Sequence, residues 1–292
     1  MSSLLDTARG PVQLLDEGAG DPVLVVHGSP GGCDQGRLMA QFLIEAGFRA
    51  IIPSRPGYLD TPLTDENAAI DAQADLFAAA LDALGIDTTA VLCWSGGGPS
   101  SYRLAVRHAH RVRAVAALAA VSHDYHWQMG VDEKFMFGTR AGNRLIALMA
   151  RHKPEQLVAA TLKAEGDLTK DELDNLTAHV FADPVKREFV LGLAATVSHR
   201  GNRRAGMEND RDTFAEIGDL QLSAIEAPVL LVQGDSDTDV PPEYSQYAAE
   251  RLPNVELIEV PLGTHLAAFT ADDSDAVQQR IVSFLRSGVL AS

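Results

Sequence analysis

Three polar residues that follow apolar runs could together carry out nucleophilic catalysis: Ser95, Asp237 and His265. A serine hydroxyl is a poor nucleophile until a base takes its proton, and that base needs a carboxylate to orient it. Ser95 sits in Val91-Leu92-Cys93-Trp94-Ser95-Gly96-Gly97-Gly98-Pro99, where an apolar run stops at a serine and helix-forming residues resume after Pro99. A strand that becomes a helix this abruptly cramps the backbone at its corner. Small residues two before and two after make such a corner possible. Cys93 and Gly97 occupy those positions, which is the small-x-Ser-x-Gly pattern of a nucleophile elbow. The helix beyond aims free N–H groups and its positive dipole end at the serine oxygen. Pro99 suits its first turn, where no N–H partner is needed. A dinucleotide-binding loop would need G-x-G-x-x-G, which Gly96-Gly97-Gly98-Pro99 does not provide.

These residues can meet only if the chain between them forms the right elements. Strands are expected over 11–17, 22–27, 48–53, 89–94, 112–121, 228–234 and 255–260, several of them uniformly apolar as in a sheet covered on both faces. Helical spacing marks 37–46, 67–84, 99–108, 243–251 and 272–287. Strand–helix alternation of this kind implies an α/β fold, a mostly parallel sheet with helices on both faces. The alternation breaks between 122 and 211, where helices are expected over 135–151, 154–165 and 184–198, and Thr169-Lys170-Asp171-Glu172 supplies a capping box for another. The simplest organisation is a core of residues 1–121 and 212–292 interrupted by a helical cap, 122–211. Loops at the carboxyl ends of parallel strands converge on one edge of the sheet. Ser95, the acidic loop Asp235-Ser236-Asp237-Thr238-Asp239 and His265 each follow a strand and can meet there.

Taken together, these motifs resemble the α/β-hydrolase family, and the resemblance covers nearly the whole core. The order nucleophile, acid, histidine matches Ser95, Asp237 and His265. Gly-x-x-Asp-x-x-Val-Pro matches Gly234, Asp237, Val240 and Pro241, and Gly-x-His matches Gly263 and His265. His27-Gly28 resembles the family's oxyanion loop and implies that the backbone N–H groups of Ser29 and Gly96 form the oxyanion hole. The stretch His27-Gly28-Ser29-Pro30-Gly31-Gly32 is similar to that of proline iminopeptidases, although Cys93-Trp94-Ser95-Gly96-Gly97 departs from their nucleophile motif. Serine at the corner disfavours the haloalkane dehalogenases and epoxide hydrolases, which carry aspartate there. Asp124, after the 112–121 strand, is the rival acid, because some relatives place theirs at that point. Asp235 and Asp239 are expected to be solvated, and His27 to shape its loop rather than transfer a proton.

The resemblance implies a serine hydrolase that needs no cofactor and acts on a small, partly apolar ester or amide. Carbon–carbon bond hydrolysis, perhydrolysis and iminopeptidase activity are alternatives on the same triad. A binding protein of the same fold is a further alternative, but it would usually lack a triad member. Trp127, Phe135 and Phe137 are the candidate substrate-lining residues of the cap, with Met136, Leu145, Ile146 and Met149 near them. His123 and His126 have the spacing of a metal pair without a third ligand motif, so no metal site is expected.

Composition narrows the partners. The chain has 292 residues and a formal net charge of −16, which argues against nucleic acid and anionic membranes and leaves a small molecule. That charge lies outside the cap, since residues 122–210 hold 13 acidic and 12 basic side chains. Cys33 and Cys93 offer no disulfide framework, the first residues do not read as a signal peptide, and no run reaches transmembrane length, so a cytoplasmic protein is expected. Nothing in the sequence points to an oligomeric state.

Overall fold

Branched and apolar runs pair into one sheet in the computed structural model, which describes residues 2–126, 140–197 and 203–290. Its strands are β1 (Ser3–Thr7), β2 (Gly10–Gly18), β3 (Pro22–Val26), β4 (Arg49–Pro53), β5 (Thr89–Trp94), β6 (Val112–Leu118), β7 (Val229–Gly234) and β8 (Val255–Val260). They lie in the spatial order β1-β2-β4-β3-β5-β6-β7-β8. From β4 to β8 every neighbouring pair is parallel, and β1 and β2 add an antiparallel edge. After β3 the chain goes to one side to form β4, then returns to the other side to form β5. Loops leaving neighbouring strands in opposite directions open a crevice at the strand ends. That crevice lies between the loop after β3 and Ser95.

The helices are α1 (Cys33–Met39), α2 (Gln41–Glu45), α3 (Ile70–Ala83), α4 (Gly98–Arg107), α5 (Arg140–His152), α6 (Pro154–Ala164), α7 (Lys170–Ala182), α8 (Pro184–Val197), α9 (Arg204–Phe214), α10 (Pro242–Ala249), α11 (Ala267–Thr270) and α12 (Ser274–Ser287). Side chains alternate across β5 as a strand's period of two requires. Val91 and Cys93 face one layer, with Phe77 of α3, Leu104 of α4 and Ala248 of α10. Leu92 and Trp94 face the other, with Met39 of α1 and Ile281 and Phe284 of α12. Both thiols are buried and free, and burial pushes the Cys93 thiol up to about 12, which keeps it a protonated packing group.

Helices α5 to α9 lie between β6 and β7, where the helical insertion is expected, and Thr169 does cap α7 with a reciprocal bond to Glu172. These inserted helices share an apolar core with the sheet layer beneath. Val158 and Leu162 of α6, Val180 of α7, and Phe189, Val190 and Leu193 of α8 join the same apolar cluster as Trp94 and Phe284. Phe189 stacks on Phe269 of α11 with ring centres 4.2 Å apart. Within the cap, Ile146 packs with Leu157 and Ala194, and Met149 lies against them, while Leu145 is 42% exposed. Ile146 and Met149 therefore serve the cap's own core. Trp127, Phe135, Met136 and Phe137 lie outside the described residues.

Four features differ from the sequence expectation. β1 is an edge strand with mostly exposed side chains, so it carries no burial pattern to read. The helix expected over 37–46 is α1 and α2, starting earlier at Cys33 and separated at Ala40. Short α11 follows His265 directly. Helix α9 runs through the expected cap boundary at 211, and its charged sequence hides the inward face formed by Gly206, Asp210 and Phe214. Among the described residues, no helix is long and apolar enough to cross a membrane.

The merged core makes a stability prediction. Leu162 of α6 is fully buried in the shared cluster, and Leu162→Ala should lower stability by about 2–5 kcal/mol. Cap and core should still unfold in a single step, monitored by denaturant titration with one probe in each region. Two separate transitions would mean the cap folds as its own unit.

Candidate active site

Ser95 stands at the corner between β5 and α4 with φ of +54°, in the left-handed region. That conformation costs a residue with a Cβ about 1–2 kcal/mol, so packing must hold it in place. Gly97 makes the packing possible. A Cβ there would stand 2.6 Å from the carbonyl oxygen of Val26 and 2.8 Å from that of His27. The elbow thus presses directly onto the end of β3, and the expected small residue two positions after the serine has a steric cause. Cys93, two positions before, is fully buried.

The loop after β3 meets the elbow. Gly28 lies so close that a Cβ on it would be 3.0 Å from Ser95 Cβ, and one on Gly96 would be 2.2 Å from Ser29 Oγ. Ser29 and Gly96 are therefore brought together beside Ser95. His27 is buried at the base of this loop. Burial first, and Arg55 second, drive its pKa well below the ordinary value, so it is neutral. Its Nδ1–H donates to the Gly28 carbonyl (2.7 Å) and its Nε2 accepts from the Arg55 backbone N–H (2.9 Å). With both nitrogens engaged, His27 acts as a strut of the loop.

Beneath Ser29 lies a buried ion pair. Arg55 and Asp210 are 1% and 2% exposed and meet at 2.7 Å. Arg55 also donates to the carbonyls of His27 and Gly28 and to Ser29 Oγ. Ser29 Oγ and Tyr58 Oη both donate to Asp210 Oδ2 at 2.5 Å. Asp210 belongs to α9, so the inserted helices supply the counter-ion that holds the loop in shape. Sequence reading misses this pair. Arg55 and Asp210 are 155 positions apart, and neither stands in a recognisable motif.

On the other side of the elbow, the loops after β7 and β8 converge. Asp237 is buried, and its Oδ1 accepts the N–H groups of Asp239 and Val240, each at 2.9 Å. Its Oδ2 accepts from Gln233 Nε2 at 3.1 Å and from His265 Nδ1–H at 2.8 Å. Trp94, the residue before Ser95, donates its indole N–H to the His265 carbonyl at 3.2 Å and lays its ring 5.0 Å from the imidazole. The rival Asp124 is exposed and accepts the N–H of Gly218. The structure thus brings His265 to Asp237 and leaves Asp124 at the surface.

His265 Nε2 is buried and, among the described residues, has no hydrogen-bond partner. Asp239 Oδ2 stands 3.4 Å from it, and Tyr125 Oη donates to Asp239 Oδ1. Asp239 is therefore a neighbour of the imidazole, contrary to the expectation of a merely solvated side chain; Asp235 is exposed as expected. A third carboxylate comes from the cap. Glu165 ends α6, its carbonyl accepts the His265 N–H at 2.8 Å, and its carboxylate joins Asp239 and His265 in one cluster. Gly166 bridges to Asp237, and the Asp167 N–H donates to the Ser236 carbonyl. Burial works against charge on His265, yet Asp237, Asp239 and Glu165 overcome it and push its pKa up to about 10. His123 stacks on Tyr244 with centres 4.0 Å apart, and His126 is exposed.

Comparison with known proteins agrees with this architecture. A family model described as alpha/beta hydrolase fold matches residues 21–272. An alpha/beta hydrolase fold protein from Nakamurella multipartita superposes with a TM-score of 0.95 at 49% identity, covering 99% of this chain and all of that one. The uncharacterized hydrolase YcgS of Bacillus subtilis is 31% identical over 129 residues, 44% of each chain, so that match spans less than half of the relative. A 2-hydroxymuconate semialdehyde hydrolase of Pseudomonas putida is 25% identical over 249 residues, covering 84% of this chain and 80% of the relative.

The buried pair beneath Ser29 yields the second prediction. Asp210→Ala should cost about 3–5 kcal/mol, because it leaves Arg55 charged and unpaired in the interior. The double variant Arg55→Met with Asp210→Leu should lose less than that single change. Chemical denaturation of both proteins measures the difference.

Proposed function

The chain belongs to the alpha/beta hydrolase fold family, and from that premise we propose that it is a cofactor-independent serine hydrolase acting on a small, partly apolar ester or amide. Ser95 is the nucleophile, His265 the base and Asp237 the acid that orients it. Ser95 Oγ attacks the acyl carbon as His265 Nε2 takes its proton, and the same proton passes to the leaving group as the bond between it and the acyl carbon breaks, leaving the acyl–serine ester. Water, deprotonated by His265, then releases the acid and restores Ser95. The N–H groups of Ser29 and Gly96 stabilise the oxyanion of each tetrahedral intermediate. The observation that carries this reading is the buried 2.8 Å contact of His265 Nδ1 with Asp237, held by Trp94 beside a serine in a left-handed corner. Among the described residues Nε2 has no hydrogen-bond partner, and the hydrogen bonds of a catalytic base often tighten only once substrate binds.

Trp127, Phe135 and Phe137 remain the proposed substrate-lining residues, and the working compartment is proposed to be the cytoplasm. A second reading, hydrolysis of a carbon–carbon bond on the same triad, is favoured by the match over most of the chain to the Pseudomonas putida semialdehyde hydrolase.

Ser95→Ala should abolish both hydrolysis across a panel of esters, amides and β-diketones and labelling by a fluorophosphonate. Asp237→Asn should reduce turnover about 10³–10⁴-fold, with Asp124→Asn close to the parent. Undiminished labelling of Ser95→Ala would place the nucleophile elsewhere, and a damaging Asp124 change would reassign the acid.

The base must be neutral to accept a proton, and its carboxylate neighbours hold it protonated up to about pH 10. The kcat/KM should therefore keep rising from pH 7 to above 9 instead of levelling near 7. Steady-state kinetics over that range test it, and a plateau at neutral pH would show that substrate binding does not contend with a protonated His265.

A further inference from the structure

The second nitrogen of the His265 imidazole lies beside Asp239, a carboxylate that the triad does not use, and Glu165 joins them in one cluster. Among the described residues, the buried Nε2 has no hydrogen-bond partner. Asp239 Oδ2 lies 3.4 Å from it, and one ligand atom each from Glu165, Asp239 and His265 falls within 4.8 Å of the others. These residues come from three places in the fold: the end of α6 in the cap, the loop after β7 and the loop after β8.

We propose that Glu165, Asp239 and His265 form a binding site for a borderline divalent metal ion, for which Zn²⁺ is the probe, and that the metal closes the site to catalysis. The 3.4 Å separation of Nε2 and Oδ2 is the edge of a tetrahedron built on zinc–ligand bonds of ~2.0–2.1 Å. One imidazole and two carboxylates are a donor set that suits such an ion. Glu165 and Asp239 are only part-buried, so their carboxylates can draw in to bonding distance.

The surroundings resemble those that tune metal ligands elsewhere. A metal-bound histidine commonly donates its other N–H to a carboxylate, which fixes the tautomer and leaves the far nitrogen's lone pair for the metal. His265 Nδ1–H does this to Asp237 at 2.8 Å, and the metal takes the Nε2 lone pair by displacing a proton from the ring, which is released on binding. Asp239 is in turn held through Oδ1 by Tyr125 Oη at 3.2 Å. Glu165 is fixed beside His265 by its own carbonyl, which accepts the His265 N–H. The arrangement that orients a base would also present a ligand.

Two consequences follow. A lone pair given to the metal cannot take the proton of Ser95, so bound metal blocks the nucleophile's activation. The metal also joins the cap, through Glu165, to the core, through Asp239 and His265. Metal occupancy is therefore a reversible lock on both the chemistry and the cap. The binding claim stands on geometry alone, whereas the inhibition claim rests on the serine-hydrolase reading.

The test titrates Zn²⁺ into chelator-treated, full-length protein by calorimetry, alongside the fluorophosphonate reaction. One equivalent should bind, raise the Tm and slow labelling at least tenfold, with recovery on adding a chelator. Mg²⁺ in the same range should do none of this. Glu165→Gln and Asp239→Asn should each weaken Zn²⁺ binding at least tenfold, with folding checked by thermal unfolding. His126→Gln should bind as the parent does. If a variant fails to fold, protection of the parent from labelling and its reversal by chelator still decide the matter. Absence of saturable binding overturns the proposal, as does unchanged affinity in both folded variants or loss of binding in His126→Gln. If Zn²⁺ binds as expected while the protein neither labels nor hydrolyses any substrate, the site stands and the hydrolase reading falls.

Discussion

The site depends first on a backbone that side chains normally avoid. Ser95 is held at φ of +54°, and the cost of that corner must be met by its surroundings. The support comes from direct contact between the elbow and the end of β3, possible only because Gly97 presents no Cβ to the carbonyls of Val26 and His27. Because the sheet changes direction between β4 and β5, the same contact sets the loop of Gly28 and Ser29 against the serine. Strand order, corner and loop are thus one arrangement.

The cap is part of that arrangement. An inserted layer of helices could be a mobile cover that only meters access. Here its apolar faces share a cluster with Trp94 and Phe284, and Asp210 of α9 neutralises a buried arginine under the loop. Residues 165–167 hydrogen-bond to the loops that carry His265 and Asp237. A division at residue 211 cuts through α9 and separates groups that act together. Changes in these helices can therefore reach the residues around Ser95 and His265 through positioning.

Around His265 two demands compete. A general base works best when its pKa is near the working pH, and a buried imidazole alone would be less basic than usual. Asp237, Asp239 and Glu165 reverse that effect and favour the charged ring. Asp237 is held in place by backbone N–H groups and Gln233. Asp239 stands on the Nε2 side of the ring, with Glu165 in the same cluster, so whatever occupies that side decides whether the ring can accept a proton.

Much of this was legible in the chain itself. Apolar runs marked every strand from β2 to β8, and the break in alternation marked the run of helices between β6 and β7. Small residues around Ser95 marked the corner, because its steric demand is local and must be met by adjacent residues. That Asp237 and His265 meet could be expected because each follows a strand whose end must lie on the same edge. Asp239 was read as solvated, since nothing in an acidic loop tells which carboxylate turns inward. Arg55 with Asp210, and Glu165 with His265, could not be read at all. Such partners come from distant segments and meet only after the helices dock, and a charged residue shows the same letter whether it faces water or a buried counter-ion. The sequence by itself determined the sheet, the corner and the order of the chemical groups, because these follow from local sterics and the periodicity of burial. The tertiary structure alone decided which charges are buried together, because that depends on long-range packing.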